Sequence, residues 1–222
     1  MQSTRMPSRP PETFARPAPR LYVVTPLVTD PAAIAEALAA MVEAADIAAV
    51  LLRLADDSEG ALTKRVKALA PVVQKNGAAL LLDGHPEIVG RGGADGAHLA
   101  GIDAFQAAVT TLKPERIAGV GGLSTRHDAM LAAEAGADYV MFGGPDPAGH
   151  APDFEWTHDR VQWWSELFET PCVGIATTLD EVAALVAVGA DFVAIGEFAF
   201  TDPISPAAAV RAASRLLVPE PA

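Results

Sequence analysis

From Arg20 onward the chain alternates between short, nearly unbroken apolar runs and longer stretches in which apolar residues recur every third or fourth position. The short runs are LYVVTP (21–26), IAAVLLRL (47–54), AALLLDG (78–84), GAHLAG (96–101), RIAGVGG (116–122), DYVMFGG (138–144), CVGIATT (172–178) and DFVAIGE (191–197). Apolar residues on consecutive rather than alternate positions fit parallel strands covered on both faces. Between them, Ile34, Leu38, Met41 and Val42 share one helical face, as do Val66, Leu69, Val72 and Val73, and again Leu179, Val182, Leu185 and Val186. Capping chemistry marks the same boundaries. Asp30 stands ahead of Pro31, Ser124 precedes the fifth helix, and Gly136 and Gly189 close two helices. The third helix, around PEIVGRGG, has the weakest pattern.

Eight strand–helix units within 222 residues predict a single (β/α)8 barrel over 20–218, with a doubly wound open sheet as the competing architecture. A Gly-Ala-Asp triplet supports closure: it recurs at 93–95, 136–138 and 189–191, ahead of the fourth, sixth and eighth strands. Its glycine stops a helix, its alanine permits close helix–strand approach, and its aspartate is expected to bond the turn backbone. The triplet is therefore architectural and carries no chemistry of its own.

Composition narrows the function classes. Half the residues are hydrophobic, enough for a large core, and the net charge of -12 argues against a nucleic-acid footprint, which needs a basic face. No apolar run reaches the eighteen or so residues of a membrane span. The one cysteine, Cys172, lies in an apolar run; it reads as a buried small hydrophobe and fits a reducing, cytoplasmic setting. Residues 1–19 are rich in Pro and Arg without an apolar block, so a disordered tail is expected and a secretory signal is not. Residues 219–222 are expected to form a frayed end.

In such a barrel the reacting groups gather where strands end at their C-termini. That rule selects Thr25, Arg53 with Asp56 and Asp57, Asp83 with His85, His98, Asp103, Ser124, Asp146 with His150, Thr177 with Thr178, and Glu197. Asp83 and Asp103, on adjacent units, are placed to converge on a hard cation such as Mg2+, which takes one or two carboxylates and completes its shell with water and phosphate. Arg53 would then offer its planar donor fork to the same phosphates. Helix caps or turn supports are the competing roles for both aspartates. His98, inside a strand, fits a ligand contact or a hydrogen-bonded core histidine equally well. Trp156, Trp163 and Trp164 read as core packing, with a homo-oligomer contact as the alternative.

The segments DGAHLAGID (95–103), AEAGADYVMFG (133–143) and VGADFVAIG (188–196) resemble the thiamine phosphate synthase and TenI-type family, and the likeness in length and strand order runs over the whole barrel. The resemblance implies condensation of hydroxymethylpyrimidine diphosphate with thiazole phosphate to thiamine phosphate and pyrophosphate, so the ligands would be small phosphorylated pyrimidine and thiazole compounds. It places the family's magnesium aspartates on Asp83 and Asp103 and its strand-two Gln-x-Arg-x-Lys on Leu51, Arg53 and Ala55. The Asn-Asp pair falls on Leu82 and Asp83. The Gly-x-Ser serine falls at Gly121 or Gly122, with Ser124 close by, and His98 belongs to the matched segment. The Thr- and Lys-bearing loop after strand six becomes DPAGHAP, where His150 is the one basic group. Ala176-Thr177 and Gly196-Glu197 replace a Gly-Gly and a Val-Ser that meet phosphate, and the TenI-type histidine falls on Gly144. These replacements leave open a diverged family member, a ligand-binding or regulatory barrel without synthase activity.

Overall fold

The computed structural model describes residues 17–202 and 204–218. Most of the expected tail, up to residue 16, and the expected frayed end at 219–222 lie outside the described residues. Eight apolar runs become eight strands: β1 (Arg20–Val24), β2 (Ile47–Leu52), β3 (Ala79–Asp83), β4 (Gly96–Ala100), β5 (Ile117–Gly121), β6 (Tyr139–Phe142), β7 (Cys172–Ala176) and β8 (Phe192–Ile195). They pair in chain order, all parallel, and β8 returns to pair with β1, which closes the barrel and excludes the open sheet. Around it run α1 (Ala32–Ala44), α2 (Glu59–Gln74), α3 (Val89–Gly92), α4 (Ile102–Leu112), α5 (Arg126–Glu134), α6 (Phe154–Leu167), α7 (Leu179–Ala187), α8 (Glu197–Phe200) and α9 (Pro206–Leu216). The weakly patterned third unit is a single 3-10 turn, Pro86–Ile88, followed by the one-turn α3. No helix among the described residues is long and apolar enough to cross a membrane.

Strand parity divides the core in two. Leu21, Val23, Val50, Leu52, Leu80, Leu82, Val193 and Ile195 face outward and pack beneath the helices. Tyr22, Ala49, Leu51, Leu81, Tyr139, Met141, Val173 and Ala194 fill the barrel interior. Trp164 is fully buried, stacked on Phe168, and its Nε1–H donates to the Thr170 carbonyl at 2.7 Å, so it is a core residue; Trp156 and Trp163 are half-buried and pack against the outer core.

Two expected details come out differently. The cap of α5 is Thr125, one residue after Ser124, and it forms a reciprocal capping box with Asp128. The triplet aspartates bond the neighbouring strand instead of their own turn. Asp95 accepts from Leu80 N–H of β3, Asp138 from Ala118 N–H of β5, and Asp191 from Cys172 N–H of β7, at 2.7, 2.8 and 2.8 Å. A turn bond satisfies only a local donor, whereas these staple each even strand to the odd strand before it. Asp46, ahead of β2, makes the fourth member by pairing with the Arg20 side chain.

Candidate active site

The strands open at their C-terminal ends into a cavity of about 1060 Å3. Local bonding fixes what faces it. The Thr25 hydroxyl, buried beyond the end of β1, accepts from Arg53 N–H at 3.0 Å, and the Arg53 carbonyl accepts from Val28 N–H at 2.8 Å. The backbone of Arg53 is thus held on both sides while its side chain reaches the cavity. Asp83 continues the inward parity of Ala79 and Leu81, and its Oδ2 lies 3.5 Å from Arg53 Nε. Across the β3–β4 pair Asp83 stands in register with His98, whose carbonyl accepts from Gly84 N–H at 2.8 Å.

His98 lines the cavity yet is only 6% exposed. Burial pushes its pKa down to about 4, against a smaller upward pull from Asp83, so the ring is neutral at pH 7. Its Nδ1 lies 2.9 Å from the Tyr139 hydroxyl, which lies 2.8 Å from the Tyr22 hydroxyl. Burial raises both tyrosine pKa values, so both stay protonated. Strand β5 makes room for these groups by carrying no side chain on its inner face at Gly119 and Gly121. A Cβ there would meet the Tyr139 ring at 2.0 Å and His98 Nε2 at 2.6 Å.

The loop after β6 covers the β4–β5 side. Pro147 packs on Gly101 and the Pro145 carbonyl on Gly122, each so closely that a Cβ would sit at 2.9 Å. Asp146 shapes the loop by accepting from Ala148 and His150 N–H groups at 2.9 Å; these bonds, that from His150 foremost, hold its carboxyl below the usual range. His150 is largely exposed. With Ser124 it lines a smaller adjoining pocket of about 250 Å3, not the main cavity. On the far side, Ala176 turns its methyl into the outer core, and Thr177 gives both its N–H and its hydroxyl to Glu181, at 2.6 and 2.8 Å. Gly196 leads into α8, whose first residue is Glu197, and both line the cavity.

Asp103 lies exposed in the first turn of α4 and does not line the cavity. Neither aspartate of the expected metal pair is a helix cap: the residue before α4 is Gly101, without a side-chain bond, and Asp83 ends a strand. No group of three or more His, Cys, Asp or Glu side chains converges among the described residues. Of the pair only Asp83 lines the cavity; magnesium takes as little as one carboxylate and completes its shell with water and phosphate, so this one rim carboxylate suits it. Leu82, where the resemblance places an asparagine, faces the outer core, while Leu51 faces the cavity.

Tyr22 and Tyr139, one layer below the cavity, and Glu181, the partner of Thr177, have no place among the strand-end candidates. The tyrosines sit within strands and read as core; their signal is inward parity, shared with Val24 and Met141, which do line the cavity. Glu181 could be found only through its i,i+4 relation to Thr177.

The site is that of a (β/α)8 barrel with a charged rim of Arg53 and Asp83 over an apolar, hydrogen-bonded floor. The family model for thiamine monophosphate synthase matches residues 21–198, and the chain belongs to that family. It is 39% identical over 201 residues to the thiamine-phosphate synthase of Rhodospirillum centenum, covering 89% of this chain and 97% of that one. With the thiamine-phosphate synthase of Hyphomonas neptunium it shares 34% identity over 213 residues, 90% of this chain and 95% of the other. The solved thiamine phosphate pyrophosphorylase from Pyrococcus furiosus has the same fold, with a TM-score of 0.71 at 21% identity, over 91% of this chain and 96% of that one.

Proposed function

We propose that this chain is a thiamine-phosphate synthase. It joins hydroxymethylpyrimidine diphosphate to thiazole phosphate: the thiazole nitrogen lone pair forms a bond to the pyrimidine methylene carbon, and the electrons of the breaking C–O bond leave with pyrophosphate. The observation that carries this reading is the Arg53–Asp83 pair at the cavity rim, in a chain 39% identical over almost its full length to a thiamine-phosphate synthase.

The charged residues lining the cavity are one cation, Arg53, and three carboxylates, Asp83, Asp146 and Glu197. A leaving group with several negative charges needs more positive charge than that. Asp83, with Asp103 from α4, would hold magnesium, which supplies the missing neutralisation as pyrophosphate departs. Arg53 donates to the same phosphate oxygens and is turned toward them by Asp83. The buried neutral His98 and the apolar Leu51, Met141 and Ile175 line the space where a flat ring can lie shielded from water.

The test is to mix purified protein, magnesium and both substrates and to measure thiamine phosphate. Steady product formation that stops on chelation of magnesium is expected. No product above background, with both substrates recovered intact, would overturn the assignment.

A further inference from the structure

The two tyrosines of the chain lie in one row with a histidine beneath the cavity. Tyr22 on β1 and Tyr139 on β6 have their hydroxyls 2.8 Å apart, and the Tyr139 hydroxyl lies 2.9 Å from His98 Nδ1. Proton placement in this row is constrained. With Nδ1 bare, Tyr22 donates to Tyr139 and Tyr139 donates to Nδ1; every hydroxyl proton has an acceptor and the ring proton sits on Nε2. With the ring proton on Nδ1, Tyr139 must accept it, and then one hydroxyl proton, on Tyr22 or on Tyr139, is left over. Neither hydroxyl bonds any other acceptor among the described residues, and Tyr22 and Tyr139 are 2% and 6% exposed. A stranded buried donor is unfavourable enough to decide between the two.

We propose that Tyr139 is a positioning residue that fixes His98 as the Nε2–H tautomer, so that the cavity floor presents a hydrogen-bond donor to an acceptor nitrogen of a heteroaromatic ring. No group of the described residues bonds Nε2. The ring edge that carries Nε2 lies over Gly121, in the space a side chain there would fill, since a Cβ would stand 2.6 Å away; His98 lines the cavity, and Leu51, Met141 and Ile175 supply apolar walls suited to a flat ring. A bare Nε2 would instead select a donor, such as a ring N–H or an exocyclic amine. The identity of the ring rests on the proposed function; the tautomer does not, because it belongs to the ligand-free protein.

The experiment is a long-range 1H–15N spectrum of the histidine rings at pH 7, with His98 assigned by its loss in His98→Gln. Nε2 is expected in the protonated range and Nδ1 in the bare range. In Tyr139→Phe the single tautomer gives way to a mixture, and affinity for hydroxymethylpyrimidine diphosphate with magnesium falls by up to about tenfold. In Tyr22→Phe the tautomer persists, because Tyr139 still donates. A proton on Nδ1 in the native protein, or an unchanged tautomer in Tyr139→Phe, overturns the proposal. Should Tyr139→Phe not fold, the native and Tyr22→Phe spectra decide it. A native Nε2–H tautomer in a protein that makes no thiamine phosphate would sink the proposed function and leave this inference standing.

Discussion

His98 couples the barrel interior to pH. Its folded pKa of about 4 lies below the ordinary value near 6.5, so the unfolded chain takes up a proton that the folded protein refuses. The contribution to stability is complete above pH 6.5 and is lost as the pH falls through 4, amounting to on the order of 3 kcal/mol. Urea midpoints measured at pH 7 and pH 4.5 should therefore fall more steeply for the native protein than for His98→Gln. Equal slopes would mean that the buried ring takes its proton freely. Arg53, Asp83 and His98 are legible in the sequence because the strand-end rule selects polar residues that interrupt or follow apolar runs. Their roles are not legible to the same depth. Nothing in spacing reveals that the Thr25 hydroxyl pins Arg53, or that Leu82 faces away from the cavity while Leu51 faces into it. Both depend on strand parity and register, which only the closed sheet defines.

The repeated aspartates act at the scale of strand pairs. Asp138 accepts from Ala118 N–H and pairs with Lys113, so it holds β6 against β5 at the end remote from the cavity. Asp138→Ala is expected to destabilise the protein by about 1–3 kcal/mol, the cost of leaving a part-buried donor unsatisfied, and Asp138→Asn by less. Chemical denaturation measures both. The repeat itself is plain in the sequence, but its partner is not, because the bonded N–H belongs to a strand some twenty residues earlier. A second prediction belongs to α8. A short helix after the last strand of such a barrel is a common phosphate seat, and here it begins with Glu197, beside a Thr177 N–H already taken by Glu181. Two like charges about 4 Å apart repel by roughly 1 kcal/mol in water and more where solvent is excluded. Glu197→Ser should therefore lower KM for thiazole phosphate by about fivefold or more, with little effect on the pyrimidine substrate. An unchanged KM would show that the carboxylate turns away from the phosphate.

At the scale of the whole molecule, the barrel was the most legible feature, since eight apolar runs at near-regular spacing admit few other closures. The interior was less so. A parallel barrel fills its axis with inward side chains, and the pattern of bulky and absent ones makes sense only once the sheet is closed: Tyr139 and His98 lie over Gly119 and Gly121 of the strand between them, and Tyr22 reaches Tyr139 across the barrel. The cavity inherits this asymmetry. Its β2–β4 side carries Arg53, Asp83 and His98, and its β7–β8 side carries Glu197 and an occupied Thr177. On the proposed function, the diphosphate would bind at the β2–β4 rim. Calorimetric titration of the protein with hydroxymethylpyrimidine diphosphate, with and without magnesium, tests that placement directly. One saturable site that requires magnesium, weakened about 10- to 100-fold by Arg53→Ala through loss of a charge-assisted contact, is the predicted result. Undiminished binding in Arg53→Ala, or no binding by the native protein with magnesium present, would contradict it.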